Sequence, residues 1–150
     1  MNEQLDAELC RKYPVLFRDR GARPPQTGMV WGFECGDGWF DILDTLCYFL
    51  QEVCHEHARK IIVEQVKEKY GSLRFYWRWE WSSETGDIGV FPDVLNHHVD
   101  ALVNMAEALT HYICEMCGAT ARLRGKTWVV TLCDAHWRTY QRDRGLTSRD

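Results

Sequence analysis

The side chains best able to do chemistry sit near the carboxyl end. Cys114 and Cys117 are two residues apart, fifteen residues follow, and Cys133 and His136 repeat the same spacing. A C-x-x-C turn brings both sulfurs to one side of a tight knuckle, where they can share an ion. Four nitrogen and sulfur donors in this pattern suit one tetrahedral Zn²⁺ and leave no open coordination position. The expected role of the metal is therefore structural. Nuclease chemistry on such a scaffold needs a general base, usually a histidine in or beside the hairpin, next to an open metal position. The stretch Ala119–Leu132 holds neither histidine nor carboxylate, so no catalytic residue is assigned and the chain is read as non-enzymatic.

Two further groups could carry chemistry. His55 and His57 follow Cys54, and His97-His98 form a pair, which raises a second metal site. Helical ligands usually stand at i and i+4, whereas i and i+1 point apart. The simpler expectation is that His55 and His57 complement a helix C-terminus while His97 and His98 are partly exposed. A cysteine nucleophile needs an exposed thiolate beside a base. Cys47 and Cys54 fall on or next to an apolar helical stripe and read as core thiols, whereas the exposure of Cys35, in a glycine-rich turn, is open.

Binding candidates are basic and aromatic. On the strand Phe75-Tyr76-Trp77-Arg78-Trp79-Glu80-Trp81, the outward residues Arg74, Tyr76 and Arg78 form a ladder of a kind enriched at interfaces and able to stack bases. Near the cysteines, Arg122, Arg124 and Lys126 make a basic hairpin, and Arg138 and Arg142 lie one helical turn apart. These could grip phosphate or an acidic protein surface. For both sets an ordinary solvated face is the commoner outcome.

The elements that must position these residues follow from periodicity. Residues 3–13 read as a short helix with Leu5, Leu9 and Tyr13 on one side, stopped by Pro14. Gly36-Asp37-Gly38 breaks the chain, and Asp37 can cap the helix behind it. In that helix Trp39, Leu43, Leu46, Leu50 and Val53 step by four and three. Ile61–Lys69 is rich in β-branched residues, Tyr70-Gly71-Ser72 supplies a turn, and strict alternation puts Leu73, Phe75, Trp77, Trp79 and Trp81 on one face. The polar run Ser82 to Gly89 is a loop. A second long helix is expected over Asp93 to Tyr112, with Leu95, Val99, Leu102, Ala106, Leu109 and Ile113 inward. Beyond it, a knuckle, a small hairpin and a last helix through about Arg142 make the layout of a treble-clef zinc finger. The fold class is α+β, two long helices packed on a small antiparallel sheet. The domains are 1–112 and a zinc-finger module over 113–150 docked on it.

Composition narrows the class. With 45% hydrophobic and 13% aromatic residues, the 150-residue chain can build a packed core. The net charge of −4 is unevenly divided: residues 1–113 carry 11 Lys+Arg against 18 Asp+Glu, and residues 114–150 carry 7 against 4. A nucleic-acid binder usually shows a stronger basic face. No stretch approaches the roughly 18 apolar residues of a membrane span. Seven cysteines, an odd count behind a polar start without signal-peptide character, point to reduced thiols and a cytoplasmic location.

Several segments carry a resemblance. Val66-Lys67-Glu68-Lys69-Tyr70-Gly71-Ser72-Leu73-Arg74-Phe75-Tyr76, Cys114-Glu115-Met116-Cys117-Gly118-Ala119 and Thr131-Leu132-Cys133-Asp134-Ala135-His136 resemble a group of small uncharacterised proteins of phages, prophages and bacteria. The likeness extends to Tyr13-Pro14-Val15-Leu16-Phe17-Arg18 and Cys35-Gly36-Asp37-Gly38-Trp39-Phe40. It implies a source and a zinc site, not a reaction. The expected function is a zinc-stabilised binding protein, a phage-type accessory or host-interfering factor acting on a host protein, to which the acidic N-terminal part lends complementarity. The alternative is a nucleic-acid-binding regulator that uses the basic zinc module. Oligomeric state is left open by the aromatic hairpin, whose edge could pair with a second copy.

Overall fold

A computed structural model describes residues 1–22, 27–80 and 93–145. The chain is mixed α+β, with four α-helices and two small sheets among the described residues. Helix α1 spans Glu3–Lys12; the Asn2 side chain caps it by accepting from the Gln4 and Leu5 N–H groups, both at 3.0 Å. Its Leu9 is fully buried, and the Tyr13 hydroxyl just beyond donates to Asp44 Oδ1 at 2.7 Å.

Helix α2, Phe40–Glu56, follows a 3₁₀ turn over Asp37–Trp39. It buries Ile42, Leu43, Leu46, Cys47, Leu50, Val53 and Cys54, a stripe of i+3 and i+4 steps. Asp37 does not cap it. The carboxylate instead accepts from the Asn2 backbone N–H at 2.7 Å and from Asn2 Nδ2 at 2.8 Å, fastening α1 to the turn.

The main sheet has three strands in the order β1-β2-β3: Phe33–Glu34, Ile61–Lys69 and Ser72–Trp79. The hairpin β2–β3 is antiparallel and closes through Tyr70 and Gly71, with φ of 57° and 74°. Two successive left-handed residues give the turn whose twist matches that of the strands. Strand β1 runs parallel to β2, so the sheet is mixed and the expectation of an antiparallel sheet is corrected. A two-residue strand is too short to show alternation in the sequence.

Helix α3, Asp93–Leu109, packs along the far side of β3 and closes its edge. The Thr110 hydroxyl accepts from the Leu73 N–H at 3.1 Å, Glu107 Oε1 accepts from the Phe75 N–H at 2.9 Å, and Asn96 Oδ1 accepts from Trp79 Nε1 at 2.7 Å. Here the strand edge is satisfied within the chain, which removes the invitation to edge-to-edge pairing at these positions. The buried stripe of α3 is Leu95, Val99, Val103 and Ala106. Val103, outside the expected stripe, is buried as well; Leu102 and Ile113 are partly buried against the core, and Leu109 is exposed. Along β3, Leu73 and Phe75 are buried, while Trp77 and Trp79 are half-buried with their rings edge to face at 5.3 Å. Trp81 and the loop Ser82–Gly89 lie outside the described residues.

After a 3₁₀ turn over Thr110–Tyr112 come the two-stranded sheet, β4 Arg122–Arg124 against β5 Val130–Leu132, and helix α4, Asp134–Arg144. This end has its own small core of Cys114, Val130 and Leu132, with Ala121, Cys133, Trp137 and Tyr140 packed on it. No helix among the described residues is long and apolar enough to cross a membrane.

Candidate metal centre

The knuckle is built by backbone hydrogen bonds. The Cys114 N–H donates to Ala119 O at 2.7 Å, and the Gly118 N–H donates back to Cys114 O at 2.8 Å. Gly118 takes φ of 74°, a left-handed conformation that favours glycine at the end of the turn. The Glu115 N–H donates to Thr131 O at 3.0 Å, tying the knuckle to β5. Cys133 is the N-cap residue of α4, which puts its thiol at the positive end of the helix, and His136 lies in the first turn.

These elements bring Cys114, Cys117, Cys133 and His136 together, with donor atoms all within 4.8 Å of one another. Cys133 Sγ lies 3.3 Å from His136 Nδ1, Cys114 Sγ lies 3.5 Å from the same nitrogen, and Cys117 Sγ lies 4.0 Å from Cys133 Sγ. A tetrahedral ion with sulfur at about 2.3 Å and nitrogen at about 2.0–2.1 Å has edges of roughly 3.6–3.8 Å, so these separations straddle the required lengths. The Cys117–Cys133 sulfur separation is far too long for a disulfide. The four donors can hold a metal ion, and the ring nitrogen on offer is Nδ1.

The thiols are tuned differently. The backbone N–H of His136 donates to Cys133 Sγ and is the main cause of a pKa lowered from 9.0 to about 6. Burial raises Cys114, which is wholly shielded. Cys117 is exposed. A metal cation would favour the thiolate at each.

The knuckle is also clasped by the segment ahead of α2, a contact that local spacing does not announce. The Gly38 N–H donates to Glu115 O at 2.7 Å, the Gly36 N–H donates to Glu115 Oε1 at 3.0 Å, and Trp39 Nε1 donates to Ile113 O at 2.9 Å. A Cβ on Gly38 would come closer than 3.0 Å to Cys114 O, Gly118 N and Cys117 N, and one on Gly36 would meet Glu115 O. At the opposite side the Thr131 hydroxyl donates to Gly71 O at 2.5 Å, joining β5 to the main hairpin. The signal was present in Gly36-Asp37-Gly38-Trp39, two glycines beside a large aromatic. Their reason lies in a partner far along the chain.

The binding candidates are placed as follows. Arg74 donates to Leu73 O at 2.8 Å and pairs with Glu107 at 3.2 Å. Arg78 pairs with Glu64 at 3.2 Å and with Asp19 at 3.5 Å. Tyr76 is exposed, with Lys67 Nζ 5.4 Å from its ring centroid. The ladder is thus laced to the chain's own carboxylates. Arg124 is the most internal of the basic hairpin residues, its side chain only 9% exposed; it donates to Leu132 O at 2.8 Å, pairs with Asp134 and lies over the Trp137 ring. Arg122 reaches the same Asp134 at 3.5 Å. Arg138 and Arg142 are exposed on α4, with Asp143 3.7 Å from Arg142, and Lys126 is exposed at the turn between β4 and β5.

His55, His57, His97 and His98 are exposed and belong to no converging donor group among the described residues. Cys35 is buried, which answers the question of its exposure, and burial pushes its thiol up to about 12. Burial likewise raises Cys10 to about 11, and raises Cys54 and, well above its ordinary value, Cys47. No protein family, curated protein or solved structure matches this chain.

Proposed function

We propose that the chain is a zinc-stabilised, non-enzymatic binding protein that acts by contact with another protein. Cys114, Cys117, Cys133 and His136 would hold one Zn²⁺ in a treble-clef arrangement. This is supported by a hairpin lying between the two ligand pairs and a helix that starts at the second. Three sulfurs and one nitrogen are the soft, four-donor set that suits this ion. With every position taken by protein, the ion would organise backbone and activate no water. The raised pKa values of Cys10, Cys35, Cys47 and Cys54 weigh against a nucleophile among them.

The observation that carries the binding role is a groove of about 230 Å³ between α2 and α3. Ile42, Leu46, Leu102 and Ala106 line it, and Phe49, Met105 and Leu109 stand at 46%, 54% and 45% exposure around it. A contiguous apolar surface with Met and Phe at its rim is the kind that receives a partner's apolar ridge. Asp41 also lines it, and the surplus of acid in residues 1–113 favours a partner with basic flanks. The resemblance to phage-encoded proteins makes a host protein the natural candidate.

The test is to isolate a stoichiometric partner from bacterial lysate, purify it and titrate it with wild type, Phe49→Glu and Met105→Glu. Both positions are exposed, so melting temperature and metal content should hold while affinity drops at least tenfold. Affinity indifferent to both substitutions would overturn the groove as the working surface, as would a stable homodimer that either substitution dissolves.

A further inference from the structure

On the metal-bearing end, away from the α2–α3 groove, a cleft of about 390 Å³ opens between the β4–β5 turn and α4. Its lining includes Lys126, Trp128, Trp137, Tyr140 and Arg144, and among the described residues that line it there is no carboxylate. Trp137 and Tyr140, one helical turn apart, stack with centroids 5.5 Å apart and planes at 17°. The Arg144 guanidinium lies 4.6 Å from the Tyr140 centroid and 5.8 Å from that of Trp128. One wall is prepared in advance, because Arg124, pinned by Leu132 O and Asp134, lies over the Trp137 ring. Trp128, on the opposing turn, keeps 62% of its surface exposed.

We infer that this cleft is a binding site for single-stranded nucleic acid. Flat aromatic and guanidinium faces stack on unpaired bases of any sequence, and cations beside them neutralise phosphate. Each feature of the lining answers to that ligand and excludes another. A duplex keeps its base faces buried in its own stack and offers nothing to Trp128 or Tyr140. An acidic peptide would use Lys126 and Arg144 but leave the aromatic rings without a partner. A cationic ligand suited to an aromatic box would meet two positive charges already there. Arg138 and Arg142 are exposed on the same helix outside the cleft lining, with Asp143 3.7 Å from Arg142. The cleft shares no lining residue with the α2–α3 groove, and the inference does not depend on the role proposed for that groove.

The test uses the full metal-loaded chain and labelled oligonucleotides of about 12 nucleotides, within the site sizes common for stacking grooves. Oligo(dT), oligo(rU) and a duplex of equal length are compared by anisotropy and by tryptophan quenching, with heparin as a polyanion lacking bases. Single strands should quench tryptophan and bind at least tenfold more tightly than the duplex. The Trp128→Ala variant should bind roughly 5–100-fold more weakly, the loss expected for one stacked base. The Arg144→Ala variant should lower the salt dependence by about one phosphate contact. A thermal melt and metal content equal to wild type show that either variant is folded. Absence of binding at low salt overturns the inference. So does binding that treats single strand, duplex and heparin alike and ignores Trp128→Ala, because that result leaves charge without stacking.

Discussion

Replacing Gly38 by alanine should unclasp the metal-bearing end from the main body. The added methyl would press on Cys114 O, Cys117 N and Gly118 N, all backbone atoms of the knuckle, none able to swing away like the tip of a long side chain. Relief requires the two segments to part. That movement breaks the Gly38 N–H bond to Glu115 O, now 2.7 Å, and strains those of Gly36 and Trp39. A lost hydrogen bond costs about 1 kcal/mol, and forcing a methylene into a packed site adds about 1–3 kcal/mol. The expected loss is therefore about 2–4 kcal/mol, or roughly 5–15 °C in melting temperature for a chain of this size. Gly21→Ala is the control, because a Cβ there meets nothing within 4 Å. Calorimetry on metal-loaded protein measures both. A Gly38→Ala protein that melts within about 2 °C of wild type would refute the claim that the knuckle is clasped through this glycine.

Three further outcomes are expected. Thr110→Val removes the acceptor of the buried Leu73 N–H, 3.1 Å away, and should destabilise the fold by about 1–3 kcal/mol in a urea titration; no change would mean that the 3₁₀ turn after α3 does not seal that strand edge. Asp37 is held below its ordinary carboxylate pKa chiefly by the Asn2 side-chain hydrogen bond. A depressed carboxylate stabilises the fold above its unfolded pKa, and that contribution fades as pH falls through the folded value. Asp37→Asn should therefore flatten part of the acid limb of a stability–pH curve below about pH 4 and leave neutral-pH cooperativity intact. At pH 7, iodoacetamide should leave Cys35 and Cys47 untouched in the native protein, and should label Cys117 and Cys133 only after a chelator is added, as mass spectrometry of digests would show.

The four donors were legible because their chemistry is local: each pair is set by a two-residue spacing that a single turn can satisfy. Helix α2 was legible for a similar reason, since its apolar steps run unbroken from Leu43 to Val53. The turn at Tyr70-Gly71 announced itself through a glycine between β-rich runs. What escaped was decided by partners distant in sequence. Strand β1 is only Phe33 and Glu34, and its parallel pairing with Val66 and Lys67 has no alternation to betray it. In α3 the full burial of Val103 beside a partly buried Leu102 depends on two neighbours at once, α2 and β3. Asp37 looked like a cap because capping residues are recognised locally, yet Asn2 reaches it first. Arg124 counted as a surface cation by composition, whereas Leu132 O, Asp134 and the Trp137 ring draw it inward. The aromatic cleft was missed because Trp128, Trp137, Tyr140 and Arg144 come from a turn and a helix whose approach no spacing rule encodes.

The most direct test of the account is X-ray absorption at the zinc edge on chain purified without added metal. The account predicts one zinc per chain, with three sulfurs at about 2.3 Å and one nitrogen at about 2.0–2.1 Å filling the shell. A shell of oxygen and nitrogen only, a coordinated water in place of one thiolate, or a folded protein without metal would contradict it.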